Sequence, residues 1–210
     1  NGDYGSNKVK FGAYYGGSSK RNIKNVDLKN NRKNTWGTGL IFNHEIDSIQ
    51  NVTVAAGFTR QISENANKTA YYSNAYALGL AYNFVHTTYG LDLAHKDTKN
   101  KGGAGNKVKN NEVTAVIRQG LNEDWNVYAM YSYKTEKTLP VGSAYSKSTD
   151  RQFLVGTEYY VFKQGSVKVK PFIEWQATRT KYENTFDKDS GKQLDRSRDF
   201  KTVIGLRAYW

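Results

Sequence analysis

Apolar and polar residues alternate along almost the whole chain. In an extended strand successive side chains point to opposite faces, so a period of two marks one apolar and one polar face. Val9, Phe11, Ala13 and Tyr15 alternate with Lys8, Lys10, Gly12 and Tyr14. Trp36, Thr38, Leu40 and Phe42 alternate with Gly37, Gly39, Ile41 and Asn43. The same pattern runs through Val52–Phe58, Tyr76–Phe84, Tyr89–Leu93, Val113–Ile117, Trp125–Tyr133, Phe153–Val161, Val167–Ala177 and Thr202–Trp210. It predicts strands over 9–15, 35–46, 51–62, 72–85, 88–96, 112–121, 125–138, 151–162, 167–182 and 200–210. That is about ten strands, with about twelve as the alternative. Pro171 has no N–H for a ladder, so a bulge or kink is expected there.

The connections alternate too. Asp47–Gln50, His86–Thr87, Asn122–Asp124 and Lys163–Ser166 are short, whereas 16–34, 64–71, 97–111, 140–150 and 183–198 are long and polar. Short turns at one end and long loops at the other are the habit of outer-membrane barrels, with turns in the periplasm and loops outside. The closing stretch carries Thr202, Ile204, Leu206, Ala208 and the final Trp210 on one face. It resembles the C-terminal strand of bacterial outer-membrane β-barrel proteins. The resemblance implies an all-β fold: one transmembrane antiparallel up-and-down β-barrel over 1–210, a monomer in the outer membrane of a Gram-negative bacterium. Trp36, Tyr82, Phe84, Tyr89, Trp125, Tyr133, Tyr159, Trp175 and Trp210 would then sit on the lipid face, several near strand ends where amphipathic rings meet the membrane interface. A soluble sandwich or lipocalin-like barrel would turn these rings inward and leave a glycine- and alanine-lined face wet, weakening its strands for no packing gain.

Composition sharpens this picture. The chain has 210 residues, no Cys, 14% aromatic residues and a mean hydropathy of −0.76. No window approaches the ~18 apolar residues that a spanning helix needs, which excludes a helical membrane protein but not a barrel, whose lumen-facing residues are polar. No leader is recognisable, so a secreted chain would be numbered after its removal, or the sequence is a trimmed one. The net charge is +12 and the pI about 9.6. No nucleic-acid recognition motif accompanies that charge, so nucleic acid is not the expected partner. Lys20, Arg21, Lys24, Lys29, Arg32 and Lys33 crowd one loop, and Lys96, Lys99, Lys101, Lys107 and Lys109 another. Outside a bacterium their natural neighbours are outer-membrane lipids and the phosphorylated head of lipopolysaccharide.

A ten-stranded lumen is slightly wider than the eight-stranded case, which side chains just fill. Its predicted polar lining includes Lys8, Lys10, Arg118, Lys134, Glu158, Lys168, Lys170, Glu174, Lys201 and Arg207. Pairing the first and last strands would bring Lys8, Lys10, Lys168, Lys170, Lys201 and Arg207 onto three neighbouring strands, and a basic ring selects anions. The competing reading is an ion-pair network in which Glu45, Glu158 and Glu174 neutralise these cations and close the lumen. The inward glycines likewise either relieve curvature or leave a water path. In architecture and charge the chain is similar to the monomeric oligogalacturonate and sialic-acid channels. The likeness implies a porin-like channel for small anionic solutes such as acidic saccharides. The alternatives are a non-conducting surface barrel that binds a partner or the barrel portion of a larger translocator.

No enzyme, metal or cofactor is expected. Omptin proteases need acidic and His residues at the outer rim, and lipid A deacylases a Ser–His pair. Of His44, His86 and His95, only His95, with Asp97, falls toward that rim, and no Ser lies beside it. Clustered His or Cys ligands are absent from the sequence pattern.

Overall fold

Alternation with β-branched and aromatic residues favours pleated strands, and each long alternating segment is a strand in the computed structural model of the chain. The structure describes residues 2–17, 30–65, 70–100, 107–142, 144–165, 167–186 and 191–209. The strands are β1 (Gly2–Tyr4), β2 (Asn7–Gly16), β3 (Asn30–Asp47), β4 (Gln50–Asn65), β5 (Ala70–Phe84) and β6 (Thr87–Asn100). They continue as β7 (Lys107–Gly120), β8 (Trp125–Leu139), β9 (Ser146–Tyr159), β10 (Phe162–Gln164), β11 (Val167–Glu183) and β12 (Arg196–Tyr209). Every ladder is antiparallel, each long strand pairs with the long strand next in sequence, β9 and β10 both pair with β11, and the described residues contain no helix. The fold is therefore an all-β, up-and-down antiparallel sheet.

The short connections are built by their own side chains. Asp47 accepts a hydrogen bond from the Ile49 N–H at 2.9 Å, and Asn122 Oδ1 accepts from the N–H groups of Asp124 and Trp125 at 2.9 and 2.8 Å. These are turns in which an Asx side chain takes the place of a backbone carbonyl. Gly165, at φ 58°, supplies the left-handed residue between β10 and β11. Opposite Pro171 the partner strand breaks: β9 pairs β11 up to Glu158↔Phe172, and β10 resumes at Phe162↔Val169. The index sum across the ladder changes from 330 to 331, which is one extra residue on the β9–β10 side, a bulge.

Burial is inverted relative to a water-soluble domain. Among the described residues no apolar side chain is buried, and the buried ones are Thr35, Ser132, Thr149, Glu158 and Lys170. Leu40, Leu78, Leu80, Leu91, Leu93, Ile117, Phe153, Ile173, Ile204 and Leu206 all stand exposed on one face. The register joins them into a belt. Val9, Phe42, Val54, Leu80, Leu91, Ala115, Tyr131, Phe153, Ala177 and Phe200 are directly opposed in series across ten strands.

The belt lies obliquely to the rows. The row that begins Ala13, Thr38, Phe58, Tyr76 continues as His95, Asn111, Thr135, Thr149, Lys181 and Arg196. The row that begins Asn7, His44 turns apolar from Val52 and runs through Tyr82, Tyr89, Ile117, Ala129, Val155 and Trp175. An apolar band that steps down successive strands is what strand tilt produces.

The expected closure is corrected by the pairing. The sheet is not closed into a barrel: β2 and β12 do not pair, and no Cα of one comes within 8 Å of the other. Instead β1 folds back on the free edge of β2 at Asn7–Val9, occupying hydrogen-bonding groups that a closing strand would otherwise meet. The strands also run further on the long-loop side than alternation predicts, because polar residues on both faces there give no periodic signal. β6 extends to Asn100, β7 begins at Lys107 and β12 at Arg196.

Candidate functional site

The polar face gathers its charges over five consecutive strands near the short-turn end. β7 brings Arg118, β8 Tyr128, β9 Glu158, β11 Lys170, Phe172 and Glu174, and β12 Arg207. Glu158 is the hub. Its Oε1 accepts from Arg118 Nη2 at 2.7 Å and pairs with Lys170 Nζ at 2.8 Å, while its Oε2 accepts from Arg207 Nη1 at 2.8 Å. Arg207 Nη2 donates onward to Glu174 Oε1 at 2.6 Å, and the Tyr128 hydroxyl donates to the same oxygen at 2.7 Å. Side-chain exposure is 3% for Glu158 and 7% for Lys170, against 43% for Arg118 and 37% for Arg207. The carboxylate and the ammonium are thus enclosed, whereas both guanidinium groups keep an open side. Three cations against two carboxylates leave one net positive charge.

Glycine makes this arrangement sterically feasible. Tyr128 is directly opposite Gly156, which is opposite Glu174. The tyrosine ring lies flat across the glycine to reach that carboxylate, and a Cβ at Gly156 would stand 2.5 Å from the ring. Two further pairs repeat the device. Tyr14 crosses Gly37 to hydrogen-bond Thr59 Oγ1 at 2.7 Å, and Phe172 covers Gly205, with the Arg207 guanidinium 4.1 Å from its centroid. Lys170 also stands over the rings of Tyr160 and Tyr209, at 5.1 and 5.4 Å. At these three positions the glycines of the polar face are niches filled by aromatic rings.

Of the ten residues expected to line a lumen, the structure brings together Arg118, Glu158, Lys170, Glu174 and Arg207. Lys8 pairs with Glu45 at 2.8 Å. That exposed pair sits at the short-turn rim, beyond the apolar band, where the Lys8 hydrogen bond and charge hold the Glu45 carboxyl below its ordinary value. Lys201 pairs with Asp199 at 2.9 Å. Lys10, Lys134 and Lys168 stand exposed on the polar face, Lys134 in register between Glu112 and Asp150. The expected basic cluster over β11, β12 and β2 does not form. β12 and β2 are not neighbours, and the Lys170 ammonium turns to Glu158 on β9. Tyr128, Tyr160, Phe172 and Tyr209 are the members that sequence reasoning did not single out as site residues.

The expected interface aromatics Trp36, Phe84, Tyr89, Trp125, Tyr159 and Trp175 are exposed on the apolar face; Tyr82 and Tyr133 are half-buried there, and Trp210 lies outside the described residues. Tyr82 and Tyr89 stack at 6.3 Å, and Trp125 Nε1 donates to Thr157 Oγ1 at 2.6 Å. Lys20, Arg21, Lys24, Lys29 and Lys101 also lie outside the described residues. His95, the one histidine placed toward the long-loop side, hydrogen-bonds Asn111 Oδ1 at 2.7 Å and stacks on Tyr76. Searches of protein-family models, curated protein sequences and solved structures return no match to this chain.

Proposed function

We propose that the chain forms a membrane barrel of a bacterial outer membrane, closed by β12 against β2, that passes small anionic solutes such as acidic saccharides. The single observation that carries this reading is the inversion of burial. A belt of exposed Leu, Ile, Phe and Trp crosses ten strands, while the buried side chains among the described residues are polar. Such a surface is unfavourable in water and is matched by a hydrocarbon solvent. Free edges in lipid leave backbone groups unsatisfied at several kcal/mol each, so closure is the state that a bilayer selects. Outer-membrane lipid and lipopolysaccharide are then the surrounding partners, and one chain suffices.

The Glu158 cluster would form the constriction. Its excess of one positive charge, with Arg118 and Arg207 partly exposed, favours anions over cations. A second reading is supported by one specific observation: each cation of the cluster already has a carboxylate partner, and aromatic rings fill the glycine niches. On that reading the barrel does not conduct and acts through its loops. Planar-bilayer recording in a salt gradient separates them. The channel reading expects discrete conductance with a reversal potential of anion-selective sign. Silence favours the second reading, and cation selectivity overturns the anion preference.

A further inference from the structure

The row that runs Leu93, Val113, Tyr133 along the apolar face ends as Arg151, Arg179, Arg198 on β9, β11 and β12. These three arginines are directly opposed across two ladders, and all three are exposed. Like charges in that position repel, because directly opposed Cβ atoms stand only about 5 Å apart. No carboxylate pairs with any of the three among the described residues. Arg151 is turned toward the Tyr133 ring, with its guanidinium carbon 6.0 Å from the centroid. One step toward the short turns the next row is Phe153, Ala177 and Phe200, so the guanidinium groups stand at the edge of the apolar belt. One step the other way come Lys181 and Arg196, also exposed.

We propose that Arg151, Arg179 and Arg198 form a binding site for the phosphorylated headgroup of a lipid in the leaflet on the long-loop side. The proposal rests on the membrane reading above and names the lipid chemistry that reading requires at one place on the wall. Guanidinium groups present planar forks of donors that match phosphate oxygens two at a time. A phosphate between neighbouring strands converts the repulsion along the row into shared charge-assisted hydrogen bonds. Phe153 and Phe200, below the arginines, take the first methylenes of the acyl chains. A free anion satisfies only the first half of this site, and a lipid satisfies both.

The test uses the full chain folded in detergent, with native mass spectrometry during titration of bis-phosphorylated lipid A, its dephosphorylated form and inorganic phosphate. Phosphorylated lipid A is expected to bind, and Arg151→Gln/Arg179→Gln/Arg198→Gln to weaken it about a hundredfold, from three basic contacts of a few-fold each. The dephosphorylated lipid is expected not to bind the wild-type chain, and inorganic phosphate not to compete. Arg151→Lys/Arg179→Lys/Arg198→Lys keeps the charge, loses the fork and is expected to fall between. Equal binding by the Gln variant overturns the site, as does equal affinity for inorganic phosphate, which marks a simple anion patch. Vesicle flotation of the same variants keeps the two readings apart. A chain that floats but binds lipid A indifferently fails this proposal alone, and one that never floats fails the membrane reading.

Discussion

At the scale of residues, the polar face is organised by a three-strand device: an aromatic ring, a glycine it crosses, and an acceptor beyond. Tyr128, Gly156 and Glu174 form one copy; Tyr14, Gly37 and Thr59 form another. Gly156→Val is expected to push Tyr128 off Glu174, freeing one acceptor of Arg207, and to destabilise the fold by about 1–3 kcal/mol, the range for overpacking. Thermal unfolding followed by tyrosine circular dichroism checks this, and an unchanged melting point would show that the niche is loose. Glu158→Gln leaves Arg118, Lys170 and Arg207 with one carboxylate, Glu174, which touches only Arg207. Removing one partner of an enclosed pair costs about 3 kcal/mol and leaves its cations unneutralised. In bilayers the variant is expected to conduct anions more strongly than the parent; an unchanged current would place the constriction elsewhere. That the glycines and charges share one face, opposite the bulky apolar residues, was legible from alternation. Which ring crosses which glycine was not, because that depends on register between strands distant in sequence.

At the scale of elements, tilt and stagger constrain how the edges could meet. Ten strands about 4.8 Å apart, tilted about 35–45°, need a stagger of about 10 to 14 residues to close. Without stagger the row of Ala13 ends at Arg196. A stagger of about ten would set Val9 against the chain end, and β1 already holds Val9 through Gly2. A stagger of about twelve leaves β1 in place and sets Ala13 opposite Ala208, joining the apolar belt across the seam. The chain has no Cys, so paired substitutions read out cleanly. Ala13→Cys/Ala208→Cys is expected to form an intramolecular disulfide in vesicles, since opposed strand residues stand within the ~4.4–6.8 Å that the bond tolerates. Ala13→Cys/Leu206→Cys is not. The reverse preference would mean that β1 is displaced, and no bond in either would mean that the edges stay apart. The existence and order of the long strands were readable from the sequence. Their long-loop ends and β1 were not, being polar on both faces or too short to show a period.

At the scale of the whole molecule, one face of the sheet exposes large apolar side chains, and the buried side chains among the described residues are Thr, Ser, Glu and Lys. That inversion was legible in which face carried Trp, Leu and Phe and which carried Gly, Lys and Glu. The open seam was not, because alternation describes each strand and says nothing of whether the two edge strands meet. The charge of +12 divides between the Glu158 cluster on the polar face, the loops and the basic row beside the belt. The central claim is that the apolar face meets hydrocarbon. It is tested most directly by refolding the chain into vesicles whose acyl chains carry bromine and recording tryptophan fluorescence. Trp36, Trp125 and Trp175 lie on that face, so the account predicts strong quenching relative to unbrominated vesicles. Emission unchanged by bromine, from folded protein recovered with the vesicles, would contradict it.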